Sequence, residues 1–323
     1  MKKDLLKIDD LSKEEILDVL NLADQLKYEL KHNIPHKHLE GKSIGMIFNK
    51  KSTRTRVSFE VGMYQLGGNA LFLKGNDLQI DRGEPAEDTA RALSRFINGI
   101  MIRTYSQREV ETLAKYATVP IINGLTDEEH PCQVLADLMT IREYKNILEG
   151  LKVCYIGDGN NMANSLIVGT LKVGMNLSIA CPSEYMPMDS YLARGKELAA
   201  LENTTFTITT NPEEAIKDAD VVITDAWCSM GHEDEATKRS EVFAPYQINK
   251  EIMKLAKNDA MVLHCLPANR EKEITKEILD EHSNEIFDES ENRLHVQKAI
   301  LVKLIKNNWS KKEKLCYSEE IFF

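Results

Sequence analysis

Short apolar runs that read as buried strands alternate with helical patterns down almost all 323 residues, and this alternation constrains the fold more than any other feature. The runs fall at 43–48, 70–73, 99–103 and 119–124, then again at 151–156, 176–181, 204–210, 219–225, 260–265 and 285–288. Strands separated by helices pair in parallel, with the helices packed on both faces of the sheet. A chain of this length exceeds what one core usually serves, and Gly150 opens a fresh series of strands. The expected fold class is therefore α/β: two doubly wound parallel-sheet domains joined by interdomain helices, with the active site in the cleft between them. The expected units are 1–148, completed by a C-terminal helix at 291–311, and 149–290.

Local signals fill in the helices. Ser12-Lys13-Glu14-Glu15 is a capping box, and Ile16, Val19, Leu20, Ala23 and Leu26 follow on one face. Phe59, Met63 and Leu66 mark a second face, which Gly67-Gly68 ends. A helix from Glu87 carries Ala90, Ala92, Leu93 and Phe96; others span 110–117 and 134–148. The closing pattern of Val296, Ile300, Leu301 and Leu304 is a helix expected to pack back across the first domain, before a Lys-rich tail ending Ile321-Phe322-Phe323. His32, His36 and His38 surround Pro35 with no Cys or carboxylate to complete a metal set, and read as a solvated connector.

Between the first strand and the second helix stands Lys51-Ser52-Thr53-Arg54-Thr55-Arg56. Three hydroxyls and two guanidinium groups are thereby placed where unpaired backbone N–H groups and the helix dipole favour an anion. Forked arginine donors suit phosphate best. The stretch has no glycines and no Gly-Lys-Ser/Thr ending, so it is not a Walker A loop. Ligands of parallel sheets sit at strand carboxyl ends, and Arg54, Arg103 and His130 all lie just past such ends.

Composition narrows the class. Net charge is −10, with no Lys/Arg block interleaved with aromatics, which argues against nucleic acid. No run approaches a membrane span and the start lacks an apolar core of the signal-peptide kind, so the expected location is the cytoplasm. The six cysteines are scattered without a Cys-x-x-Cys pair, which suits a reducing compartment.

Three further strand ends carry chemistry. Gly157-Asp158-Gly159-Asn160-Asn161-Met162 occupies a dinucleotide-fingerprint position but lacks the third glycine. Its asparagines suit a zwitterionic ligand, or simply cap a helix. Asp225 follows the apolar Val221-Val222-Ile223, where a carboxylate needs a partner such as an amine. The charged stretch 232–241 lacks core residues and reads as a mobile closing loop or an ordinary surface loop. His264-Cys265-Leu266-Pro267 ends another strand; a zinc site would need two more ligands, with only Cys228 and His232 on offer.

Taken together, Ser52–Arg56, the segment from Gln79 to Arg91, His130–Gln133, Asp225–Gly231, His264–Ala268 and Glu291–Arg293 resemble the aspartate/ornithine carbamoyltransferase family in the same order over nearly the whole chain. Asp-x-Trp-x-Ser-Met-Gly and His-Cys-Leu-Pro resemble its ornithine-using branch rather than the aspartate- or putrescine-using ones. Cys132, where many members have Thr, and Asn269, where His is frequent, are departures at positions given no direct chemistry. The resemblance implies that Ser52, Thr53, Arg54 and Thr55 hold the phosphate of carbamoyl phosphate, with Arg103 adding charge. It implies that His130 and Arg54 polarise the carbonyl, Gln133 binds the carbamoyl amine, and Cys265, Leu266 and Arg293 complete that subsite. Asp225 and Cys265 would orient the ornithine amine, and Asn161, Ser229 and Met230 would grip its amino-acid end. Gln79 would reach a neighbouring subunit's site in a homotrimer or a multiple of trimers. No cofactor or metal is implied. Unit 1–148 would bind carbamoyl phosphate and 149–290 L-ornithine. The competing readings are carbamoyl transfer to another amine, such as putrescine or a modified ornithine, a non-catalytic phosphate or amino-acid sensor, and a dinucleotide oxidoreductase, against which the missing third glycine speaks.

Overall fold

A computed structural model describes residues 2–79, 83–228 and 235–306. Helix α1 (Lys13–Lys31) opens on the expected capping box: Ser12 accepts from the Glu15 N–H, and Glu15 accepts from the Ser12 N–H. Its apolar face is fully buried from Ile16 to Leu26. The first sheet then comprises β1 (Ser43–Phe48), β2 (Asn69–Lys74), β3 (Gly99–Arg103) and β4 (Ile121–Leu125). Its order is β2-β1-β3-β4, all parallel. Helices α2 (Thr53–Gln65), α3 (Ala86–Leu93) and α4 (Gln107–Tyr116) make the crossovers, and α5 (Pro131–Lys145) leads out.

The second sheet comprises β5 (Lys152–Ile156), β6 (Asn176–Ala180), β7 (Phe206–Thr209), β8 (Val221–Thr224) and β9 (Met261–His264), in the parallel order β7-β6-β5-β8-β9. Between its strands run α6 (Asn161–Lys172), α7 (Asp189–Glu202), α8 (Pro212–Ile216), α9 (Ala236–Phe243) and α10 (Lys250–Met253). After β9 come α11 (Lys276–Glu281) and the long α12 (Ser283–Lys306). The strand bodies are buried except on β2 and β7, which lie at sheet edges. In both sheets the strand order reverses at one place, between β1 and β3 in the first and between β5 and β8 in the second. Those are the topological switch points where open α/β sheets bind ligands.

Four expectations fail. The stretch 285–288 is not a strand but the first turn of α12, which begins eight residues before the expected helix start at 291. Ile286 is buried while Phe287 is 56% exposed. Burial then recurs at Glu289, Arg293, Val296 and Ile300, a helical spacing that two apolar residues alone do not reveal. Phe96 is not on a helix face; α3 ends at Leu93 and Phe96 is exposed. His36 is not solvated but buried beside the Lys298 amine, 3.3 Å from its Nε2. The part of 232–241 that is described is no loop: α9 buries Arg239, whose guanidinium pairs with Asp158 and donates to the Trp227 carbonyl. The Lys-rich tail and Cys316 lie outside the described residues.

Helix α12 packs on α1, α2 and α5 as well as on β9, so the chain's end ties the two sheets together. Helices α5 and α6 meet across the same boundary. A Cβ on Gly169 of α6 would come within 2.5 Å of Val134 on α5, so only glycine admits this approach.

Candidate active site

Each switch point supplies one wall of a single cavity of about 390 Å³. From the first sheet, Ser52 N-caps α2, its hydroxyl accepting from the Thr55 N–H at 3.2 Å. That leaves the N–H groups at the start of α2 facing the cavity mouth with the Ser52, Thr53 and Arg54 side chains. Arg103 ends β3, and His130 is the residue before Pro131 opens α5. Arg293 reaches in from α12 and donates to the Thr55 hydroxyl at 2.7 Å. Thr55 itself is fully buried and holds Arg293 instead of lining the cavity.

Three guanidinium groups thus converge on one spot. Burial, together with the nearby Arg293 and Arg54, pulls Arg103 down to about 9, and burial lowers Arg293 as well. The Nε atoms of both are buried with no hydrogen-bond partner among the described residues. Buried donors and unpaired positive charge cost several kcal/mol unless an anion satisfies them. The same burial, aided by Arg293, Arg103 and Lys50, holds His130 well below its ordinary 6.5, so its imidazole is neutral at neutral pH.

The opposite wall centres on a carboxylate held by hydrogen bonds. Asn160 N-caps α6 with its carbonyl oxygen, accepting from Met162 and Ala163 N–H groups. Its amide nitrogen is thereby free to donate to Asp225 Oδ2 at 2.9 Å. Asp225 Oδ1 accepts from the Ala226 N–H at 2.7 Å and the Cys265 thiol at 3.0 Å. Burial and the Asp225 carboxylate raise the Cys265 thiol well above its ordinary value, so it is a hydrogen-bond donor and not a thiolate. Asn161 donates its amide to the Thr126 carbonyl at 2.6 Å, which leaves its carbonyl oxygen for a ligand. Leu266, at a φ of 55°, donates its N–H to His264 Nδ1.

Ten of the residues singled out in the sequence, from Ser52 to Arg293, line this one cavity. Gln133 does not; it lies fully buried on α5, one turn below His130. Gln79 is exposed and outside this chain's cavity. Ser229 and Met230 lie outside the described residues. Lys50, Lys51, Cys228 and Asn269 also line the cavity; the sequence reading did not name Lys50 and gave the other three no binding role. Lys50 was legible: it stands next to the Lys51–Arg56 run, where it pairs with Asp127 at 2.7 Å. Asn269 was noted only as a departure. Asn160 carried no signal distinguishing it from an ordinary cap.

Asp225, His264 and Cys265 bring potential metal ligands within 4.8 Å of one another. Hydrogen bonds account for all three, because His264 Nδ1 accepts from Leu266 and Nε2 pairs with Glu273 at 3.1 Å. The dinucleotide position is likewise filled by protein. A Cβ on Gly159 would meet the Met186–Pro187 backbone at 2.3 Å, and Gly159 donates to the Tyr185 carbonyl. Chain, not pyrophosphate, occupies the space that this glycine opens.

Three guanidinium groups at one switch point thus face a hydrogen-bonded carboxylate at the other across a single cavity. Comparison with known proteins agrees. Residues 3–143 match the aspartate/ornithine carbamoyltransferase carbamoyl-P binding domain, and residues 149–304 match the Asp/Orn binding domain of the same family. The chain belongs to the aspartate/ornithine carbamoyltransferase family. It is 53% identical over 303 residues to the ornithine carbamoyltransferase of Carboxydothermus hydrogenoformans, covering 94% of this chain and 97% of that one. Its identity to the Methanosarcina mazei ornithine carbamoyltransferase is 51% over 306 residues, covering 95% and 100%. Among solved structures, the ornithine carbamoyltransferase of Pyrococcus furiosus superposes with a TM-score of 0.91 at 49% identity, covering 95% of this chain and 98% of that one. The anabolic enzyme of Campylobacter jejuni gives 0.90 at 42%, covering 94% and 99%.

Proposed function

We propose that this protein transfers the carbamoyl group of carbamoyl phosphate to the side-chain amine of L-ornithine, giving L-citrulline and phosphate. The observation that carries this reading is the single cavity in which Arg54, Arg103 and Arg293 face the Asp225–Cys265 pair. The dianionic phosphate sits among the three guanidinium groups and the hydroxyls of Ser52 and Thr53. The neutral His130 imidazole, with Arg54, donates to the carbonyl oxygen and stabilises the oxyanion that forms as the carbon becomes tetrahedral. Leu266 and Cys265 bound the carbamoyl end, with Gln133 buried behind it, one turn below His130.

A free alkylamine has a pKa of about 10, so the attacking nitrogen must first release one proton to solvent. Asp225, held by Asn160, Ala226 and Cys265, orients that amine. The Asn161 carbonyl oxygen, with Ser229 and Met230, takes the amino-acid end. The amine lone pair forms the new C–N bond, the C–O bond to phosphate breaks, and the departing phosphate accepts the amine proton. Holding both substrates in line across the cleft removes much of the entropic barrier.

The assembly that fits this site is a trimer in which Gln79 completes a neighbour's cavity. Edge strand β2 and helix α2 support it, since Leu71, Phe72, Val57 and Tyr64 are all exposed there and an uncovered apolar edge is a liability. Among the described residues no helix is long and apolar enough to cross a membrane. The scattered thiols of Cys132, Cys154, Cys181 and Cys265 suit the cytoplasm. The two halves act as a carbamoyl-phosphate unit, 1–148 completed by the end of α12, and an ornithine unit.

Paired substitutions test the assignment of walls. Arg54→Ala is expected to lower kcat about 100-fold or more and raise KM for carbamoyl phosphate, with an unchanged circular dichroism spectrum. Asp225→Asn should instead raise KM for ornithine and leave carbamoyl phosphate binding alone. Near wild-type turnover in Arg54→Ala would remove the phosphate assignment.

A further inference from the structure

Directly beneath the cleft lies a buried acidic pair that the chemistry above does not use. Asp137 is on α5, one turn after Gln133, and Glu289 is on α12, one turn before Arg293. Both carboxyls are buried to 1% exposure or less. Burial raises both, and the neighbouring Asp137 raises Glu289 further. Gln133 sits between them. Its amide nitrogen donates to Asp137 Oδ1 at 2.8 Å and to Glu289 Oε1 at 2.7 Å. Glu289 Oε2 also accepts the His264 N–H at 2.8 Å, which ties the pair to the strand that ends at Cys265.

An amide has two N–H groups and one carbonyl oxygen. With both N–H groups committed to carboxyl oxygens, Gln133 cannot flip without setting its own oxygen against them. Its Oε1 is therefore fixed, and it is buried with no partner among the described residues. A buried acceptor left unsatisfied is costly, so the site favours a ligand that brings an N–H to it.

We propose that Asp137 and Glu289 are positioning residues that lock the Gln133 amide with its oxygen toward the carbamoyl amino group, and so make the site prefer carbamoyl over acetyl phosphate. This rests on the carbamoyl-transfer reading above. Acetyl phosphate has the same phosphate and carbonyl but a methyl group in place of the amine, and would leave Gln133 Oε1 unpaired.

The test is the dissociation constant of carbamoyl phosphate and of acetyl phosphate, measured by calorimetry on the wild type and three variants. In Glu289→Gln the new amide either meets the His264 N–H or faces Gln133 donor to donor, which drives Gln133 to flip. In Asp137→Ala one of its two anchors is gone. Both variants are expected to weaken carbamoyl phosphate about ten-fold or more while acetyl phosphate changes by less than about three-fold. Asp137→Asn keeps an acceptor for Gln133, and is expected to retain the wild-type preference. Equal weakening of both ligands would mean that the pair only supports the fold, and an unmoved preference in the first two variants would overturn the proposal. No carbamoyl phosphate binding by the wild type would instead bring down the transfer reading itself.

Discussion

Glu129 shows how a single buried carboxyl can shape stability without touching a substrate. It precedes His130, is fully buried, and accepts from the Ser165 hydroxyl at 2.6 Å, while Ser165 accepts the His130 N–H at 2.8 Å. Burial pushes Glu129 from 4.5 up to about 7. Below about pH 4.5 the group is neutral in both folded and unfolded chains and has no pH-dependent effect. As pH rises toward 7 the unfolded chain ionises first, so stability falls by about 3 kcal/mol once the folded-state value is passed. Glu129→Gln keeps an acceptor for Ser165 and cannot ionise. It is expected to match the wild type near pH 4.5 and to exceed its unfolding free energy near pH 8 by up to that amount. Denaturant titrations at the two pH values check it; a gain of equal size at both would point to packing instead of charge.

At the scale of elements, the strands were legible because each is a short apolar run bounded by turn residues, and nine of the ten expected strands exist within a few residues of their expected bounds. The tenth, at 285–288, was lost because a pair of apolar residues fits both periods and only the contacts of α12 decide between them. Helix α9 was hidden for another reason: its anchor is Arg239, a charged residue buried against Asp158 and the rings of Tyr185 and Phe243, which no hydrophobic pattern announces. Residues that line the cavity at strand ends, such as Arg54, Arg103 and Asp225, stood out as polar groups after apolar runs. Those that act from behind, Asn160, Asp137 and Glu289, look in the sequence like any helical polar residue. Gly169 also becomes meaningful only where α6 meets α5. Gly169→Val overpacks that crossing against Val134, a branched side chain with little room to yield. A loss of about 1–3 kcal/mol is expected by thermal or denaturant unfolding, with the secondary structure retained. Wild-type stability in this variant would show that the two helices can separate freely.

For the whole molecule, the cleft of one chain contains both substrate walls but not Gln79, which is exposed beyond its reach. If Gln79 serves a neighbour, impaired variants should complement one another. Trimers refolded from a mixture of Gln79→Ala and Arg54→Ala chains contain sites where an intact Arg54 meets a neighbour's intact Gln79. Their turnover is expected to exceed the average of the two parent proteins, with sedimentation giving the mass of three chains. Turnover equal to that average would place the action of Gln79 within its own chain, and a monomer in solution would end the shared-site account.

Citrulline formation from carbamoyl phosphate and L-ornithine, with putrescine and L-aspartate run in parallel, decides which two substrates this cleft takes. Product from ornithine, and little or none from the other two amines, is the predicted result, given the proposed roles of Asp225 and Cys265 toward the side-chain amine and of Asn161 toward the amino-acid end that putrescine lacks. Equal or greater product from putrescine would contradict the amino-acid half of the site. Tight carbamoyl phosphate binding with no product from any amine would contradict catalysis and leave a protein that senses its ligand.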